Sequence, residues 1–329
     1  MDIYLTLDYE LFLNDITGDV DHCLITPGDE LLKVLNKHDV KATFFVDMAY
    51  AYRLKELQDT YDGLKEDYIK FSNHVKKIAN AGHTIGLHLH PQWFYSTFDG
   101  NTWTVDMEHY KLADMPLDEA NERFDICYKM LTDIVGTKVT SFRAGGFSIQ
   151  TFKGFPDALL RNGITNDSSA TFRGRVLSKL HYFDYSSLKD SDHFRFEDDI
   201  LKPNENGCMT EWVISSGKRS YISYCIQRTK YHALSDNYNW GNGGDLPSKS
   251  RIDFIKNAFR KLKWNVVVGA TIDYQSFFHL ELVYKSYKNA KNKDFVILGH
   301  PKNLSPASLR YLDEFISKVK NESKFKTIR

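Results

Sequence analysis

Along this chain, short continuous apolar runs alternate with longer stretches in which apolar residues recur every three or four positions. The first pattern predicts buried strands and the second predicts helices. Ile3–Leu7 is the first strand-like run. Thr26-Pro27 then opens a helix with a cap and a first-turn proline, and Leu31, Leu32 and Leu35 form its apolar face. Lys41–Val46 reads as a buried strand, Asp67–Ala81 as a helix closed by Gly82, and Thr84–His90 as the next strand. Pro116–Val135 predicts a long amphipathic helix, Val139–Phe142 a strand, Phe155–Asn162 a helix ended by Gly163, and Ile164–Asp167 a strand. From about Thr171 to Ser250 the pattern is less regular. It holds β-like runs at Met209–Ile214 and Tyr221–Ile226 and a glycine-rich loop at Trp240–Asp245. Regular alternation returns with a helix at Arg251–Leu262, strands at Asn265–Ile272 and Phe295–Leu298, and a last helix, Pro306–Lys320, with Ser305 as its N-cap. Repeated strand–helix units imply an α/β fold with a parallel sheet or barrel. With no repeat, linker or low-complexity segment, residues 1–329 read as one catalytic domain with an irregular insertion around 171–250.

Composition narrows the class. The 329 residues are 42% hydrophobic, enough for a sizeable core. Aromatic residues reach 14%, which fits a groove that stacks sugars and fits equally an aromatic-rich core. Lys+Arg and Asp+Glu are both 43, so no basic footprint of a nucleic-acid binder exists. No apolar run is long enough to span a membrane. The start, MDIYLTLD, lacks the basic-then-apolar pattern of a secretory leader. Cys23, Cys127, Cys208 and Cys225 are far apart and form no CxxC pair, as expected of free thiols in a reducing compartment. These features together lead us to expect a cytoplasmic location.

Most of the residues suited to chemistry fall at the C-terminal ends of predicted strands, where parallel α/β folds build their sites. In Thr6-Leu7-Asp8-Tyr9-Glu10, side chains two apart share a face, so Asp8 and Glu10 converge. That pair suits a metal ligand beside a general base, and it also fits two exposed acids near a helix start. In Gly86-Leu87-His88-Leu89-His90-Pro91, the same period aims two imidazoles at one point, as a divalent metal requires; His83, at the strand start, reads as structural. Arg143 ends a buried strand and needs an anion; Gly145 and Gly146 after it permit a turn that points N–H groups into a pocket, or an ordinary strand-to-helix turn. His300, at the end of the apolar run Phe295–Leu298, is placed as a general acid or as a capping histidine.

In order and placement, these four segments resemble the motifs of polysaccharide deacetylases with the NodB homology domain, carbohydrate esterase family four. The resemblance runs from Thr6 to Pro301. It implies a distorted (β/α) barrel and a metal-dependent hydrolase that removes an N-acetyl group from a sugar, releasing acetate. Asp8 matches the family's base. Tyr9 stands where the family has its carboxylate ligand, so that role moves to Glu10; His88 matches the first histidine ligand, while Gln92 replaces the second, leaving His90 as the substitute. Arg143 lacks the proline that usually follows it, and His300 fits the last motif. The roles so implied are metal binding by Glu10, His88 and His90, with zinc as the expected ion. Asp8 would act as base held by Arg143, the Gly146 N–H as oxyanion donor, and His300 as acid on the opposite side of the ion from Asp8. Asp167 is expected to touch substrate or to tune His300, with Asp273 as the alternative partner. Trp93, Phe94, Tyr95 and Trp103 form either a sugar platform or a packed loop. The expected partner is an N-acetylated sugar or polysaccharide precursor for surface polysaccharide synthesis. The competing readings are another metal hydrolase such as a phosphoesterase, and a non-catalytic sugar-binding protein on the same scaffold.

Overall fold

The computed structural model of the chain describes residues 1–150, 155–189, 191–223, 225, 239–244, 265–273 and 277–329. The predicted strands assemble into one sheet. β1 (Asp2–Tyr9) lies next to one end of the strand order, with β2 (Thr43–Asp47), β3 (Thr84–Leu89), β4 (Ser141–Ala144) and β5 (Asn166–Asp167) following in order on one side. Two short strands, β6 (Phe194–Phe196) and β7 (Met209–Glu211), extend that side, with β7 parallel to β5 and β6 antiparallel to β7. A further two-stranded pair joins β8 (Ser216–Ser220) to β9 (Asn265–Gly269) in antiparallel register. On the other side of β1 lies β10 (Asp294–Gly299), and β11 (Lys324–Lys326) pairs with the first residues of β1. The segment after β7 then reaches across: Ser215 N–H donates to Val296 O, and Thr271 bridges Leu298. The curled sheet thereby closes into a distorted barrel.

Helices cover the outside. α1 (Thr26–Lys37), α2 (Met48–Leu57), α3 (Asp62–Asn80) and α4 (Leu117–Val135) wrap the first strands. α5 (Phe155–Arg161) leads into β5, while α6 (Phe277–Asn289) and α7 (Pro306–Val319) flank β10. Ends follow local chemistry: Gly82 and Gly136 close α3 and α4 at φ values of 84° and 73°, a conformation that glycine adopts without strain. Ser305 caps α7 by accepting from Ser308 N–H.

Period two sorts each strand between two environments. Ile3, Leu5, Leu7 and Tyr9 of β1, with Phe44, Val46, Leu87, Phe142, Phe295 and Ile297, pack outward in the large core beneath the helices. The alternate residues face the barrel interior, where Tyr4, Phe45, Ile214, Val296 and Ile328 make a small separate apolar cluster. Interior positions further along the strands are polar: Thr6, Asp8, His88 and Arg143, all buried.

Several expectations differ in detail. Thr26 is no cap, because a π-helical turn at Asp21–Ile25 runs straight into α1. Within the stretch expected to be irregular, β6 and β7 are strands of the main sheet. Residues 221–223 are helical rather than extended, and the predicted helix 251–262 lies outside the described residues. The Asn265–Ile272 run does not enter the sheet whole: residues 265–269 pair with β8, and only its end touches β10.

Gly86 sits inside the barrel two residues before His88. A Cβ there would lie 2.6 Å from a ring carbon of Phe45 and 2.8 Å from Ser141 Oγ. Gly86→Ala should therefore cost about 1–3 kcal/mol by overpacking. The urea midpoint checks this, and an unchanged midpoint would show that the interior yields at this point.

Candidate active site

Arg143 is fully buried in the barrel, and its guanidinium is shared among three strands. Nη1 donates to Asp8 Oδ1 at 2.6 Å, Nη2 to Thr6 Oγ1 at 2.9 Å and to Ser168 Oγ at 2.8 Å, and Nε to Ser168 O at 2.8 Å. Its charged face lies 4.3 Å from the ring centroid of Phe45. The anion that the sequence required for Arg143 is thus Asp8, which becomes oriented with one oxygen committed and Oδ2 left toward the barrel mouth.

Glu10, His88 and His90 converge beside it. His88 Nε2 lies 2.9 Å and His90 Nε2 2.6 Å from Glu10 Oε2, and the three ligand atoms fall within 4.8 Å of one another. His88 Nδ1 lies 2.7 Å from Arg143 O, a carbonyl that can only accept; this fixes the tautomer with the proton on Nδ1 and aims Nε2 at the cluster. Burial disfavours charge on His88, but Asp8 and Glu10 outweigh it and raise its pKa to about 9. Burial likewise opposes ionisation of Glu10, yet Lys302 and the two imidazoles hold its carboxyl well below the usual range. Lys302 is a buried cation whose Nζ donates to Glu10 Oε1 and to Leu11 O, both at 2.8 Å. It leaves Oε2 as the oxygen facing the histidines. Asp47, at the end of β2, accepts the His90 N–H on Oδ1 at 3.2 Å and so fixes where that residue leaves β3.

His300 stands at the mouth after β10. Its Nδ1 bonds Asp273 Oδ2 and its backbone N–H donates to Asp273 Oδ1 at 2.9 Å. Burial opposes protonation of the ring, but Asp273, with Asp8 and Glu10, raises its pKa above the ordinary histidine value. Nε2 points inward, 3.6 Å from Asp8 Oδ2 and 3.7 Å from Glu10 Oε1. His300 is therefore beside Asp8 rather than across from it. Gly145 and Gly146 complete the mouth. A Cβ on Gly145 would lie 2.7 Å from His90 Nδ1, and Gly146 adopts φ 57° with its carbonyl 2.6 Å from His181 Nε2.

A comparison with curated protein sequences gives no match. Among solved structures, a Mycobacterium smegmatis protein assigned as a polysaccharide deacetylase is similar over 98% of this chain and 85% of its own, at 16% identity and a TM-score of 0.54. The PuuE allantoinase is similar over 99% and 87%, at 13% identity and a TM-score of 0.50. At such identities these structures establish the shared fold. The family model described as polysaccharide deacetylase matches residues 19–151, the span that holds His88, His90 and Arg143.

The barrel explains how the chain departs from the usual motifs of that family. Tyr9, at the usual ligand position, points outward, fully buried, with its hydroxyl 2.6 Å from His74 Nδ1. Gln92 is also buried, in a helical turn, and its amide atoms have no partner among the described residues. Two weaker expectations fail geometrically. Trp93 is 0% exposed, packed against Tyr50 and Trp103, so it offers no face to a sugar. Asp167 lies on the outward face of β5 by the same period of two, bonded to Ser169 Oγ at 2.7 Å and adjoining Glu211; Ser168, the next residue, is the one that reaches Arg143. The histidine partner is Asp273. Lys302 and Asp47 were missed, although a lysine two residues past the His300 motif and an acid ending an apolar strand were visible signals.

Burial pushes both Asp167 and Glu211 above the ordinary carboxyl range, and the neighbouring Asp167 raises Glu211 further. The folded chain therefore keeps a proton that the unfolded chain releases above about pH 4. The pair's contribution to stability falls as pH rises from there through the folded pKa. Glu211→Gln keeps an oxygen for the Ala170 N–H and carries no charge. It should lessen the drop in urea midpoint between pH 5 and pH 8; a variant that drops as far as the parent would exclude this pair as the cause.

Proposed function

We propose that this chain is a metal-dependent hydrolase that removes an N-acetyl group from a sugar or polysaccharide precursor and releases acetate. The observation that supports it most is the convergence, at one barrel mouth, of an Arg-held carboxylate (Asp8), a carboxylate-held histidine (His300) and the Glu10–His88–His90 cluster. The fold alone does not select the substrate, since an allantoinase shares it; the choice rests on the family match and the motif order.

The donor set fits a divalent cation. Two imidazole nitrogens and one carboxylate oxygen are brought together, with the His88 tautomer set by Arg143 O, and such a set suits zinc. When bound, the ion supplies Lewis-acid polarisation of the amide carbonyl and acidifies water. The chain's own groups do the rest. Asp8, held on Oδ1 by Arg143, accepts the proton of the attacking water on Oδ2. The Gly146 N–H stabilises the oxyanion, as positioned backbone donors do. His300, kept protonated by Asp273, delivers its Nε2 proton to the departing sugar amine.

Purified protein should carry about one divalent ion per chain and release acetate from N-acetylglucosamine oligomers. His88→Ala should lose the ion. Asp8→Asn should keep ion and fold and lose turnover by a factor on the order of 10² or more. Phosphate release from ester substrates without acetate release would favour the phosphoesterase reading, and a bound ion with no turnover would favour the binding protein. A second outcome concerns pH. Because Asp273 raises the His300 pKa, Asp273→Asn should move the alkaline limb of the kcat profile to lower pH. An unshifted limb would remove His300 as the acid.

A further inference from the structure

A second concave site lies away from the catalytic mouth. A cavity of about 750 Å³ opens between β8 and α6, beside Ser191 and Asn292. Those two residues adjoin the start of β10, whereas His300 follows its end; the six residues of β10 separate the two places by about 20 Å at ~3.3 Å per residue. The volume is that of a small-molecule pocket, and the wall includes apolar surface from Phe172, Leu282 and Val283.

The charge of this cavity is one-sided. Arg173, Lys189, Lys218 and Arg219 line it, and among the described residues no Asp or Glu does. Three of these cations are exposed at the rim. The fourth, Arg219, is only 7% exposed, and its Nη1 and Nη2 have no hydrogen-bond partner among the described residues. Every other buried cation described above is matched: Arg143 by Asp8, Lys302 by Glu10. Burial pulls the Arg219 pKa down with no carboxylate among the described residues to offset it, and the neighbouring His279 is held neutral, with a pKa lowered to about 4 by burial. Guanidinium stays charged in proteins, so a buried one without an anion is a standing cost to the fold. A ligand anion would remove it, and guanidinium pairs with phosphoryl oxygens in bidentate fashion.

We propose that this cavity binds a phosphorylated small molecule of sugar or nucleoside size, with its phosphoryl group on Arg219 and the rim cations Arg173, Lys189 and Lys218 around it. The site is separate from the deacetylase mouth and does not depend on the reading of that mouth.

Titration calorimetry and thermal shift, with AMP, adenosine and inorganic phosphate as probes, test it. AMP and phosphate should raise the melting midpoint and adenosine should not. Arg219→Met should fold with an equal or higher midpoint, because it removes an unpaired buried charge, and should weaken phosphate binding by about tenfold or more, as loss of a charged hydrogen bond does. A markedly lower midpoint in Arg219→Met without ligand would mean that the arginine has a structural partner, and would overturn the proposal. The exposed Lys218→Glu cannot disturb the core and should weaken phosphate binding in the same direction. His88→Ala controls for anions held at the catalytic mouth and should keep the full response. A response lost with His88 and kept in Arg219→Met would place the anion in the catalytic site instead. Equal shifts by AMP and adenosine, or none by phosphate, would also sink the idea.

Discussion

The Arg143–Asp8 pair is the constraint on which the interior depends. A guanidinium at full burial is costly unless its charge is met and its donors are used. Here the partners come from β1 and from the residue just past β5, so the ion pair ties the first strand to the fourth and fifth. Thr6 relays the tie onward by donating to Ile297 O on β10. The strands that carry Asp8, His88, Arg143 and His300 are therefore held in register by groups of the candidate site itself, and a substitution that frees Arg143 would loosen the barrel and the site together.

That polar layer rests on an apolar floor. Tyr4, Phe45, Val296 and Ile328 fill the lower barrel, and the Phe45 ring lies directly against the guanidinium. Water excluded from below makes each hydrogen bond to Arg143 count for more than it would at a surface. It also explains why Glu10 needs Lys302. Two carboxylates and two imidazoles crowd one mouth, and without a cation on Oε1 the Glu10 carboxylate would face burial and the neighbouring Asp8 charge together.

Period two was the most informative signal in the sequence, and it carried both successes and failures. It placed Asp8 with Glu10 and His88 with His90 on one face, which is the interior face of β1 and β3. Applied to Asn166-Asp167-Ser168-Ser169, the same rule sends Asp167 outward and Ser168 inward, a step that needed the phase of β5 relative to Arg143, and no local pattern reveals that phase. Trp93 looked like a platform because aromatic residues after a site loop often are; only the packing of Tyr50 and Trp103 around it shows otherwise. The choice of Asp273 over Asp167 for His300 likewise depends on the bridge between Thr271 and Leu298, a contact between distant segments.

The formal charge of zero conceals an uneven distribution. At the barrel mouth, acids and bases are interleaved in pairs: Arg143 with Asp8, Lys302 with Glu10, His300 with Asp273. At the β8–α6 cavity, four cations share a wall that holds no acid among the described residues. A mixed surface rarely leaves such a group buried, because the unfolded chain would solvate it fully and folding would forfeit that hydration. The fold bears this cost at Arg219, whereas the buried cations Arg143 and Lys302 each meet a carboxylate. The asymmetry is explained when the missing anion belongs to a ligand, since binding then recovers in the complex what the free chain gives up.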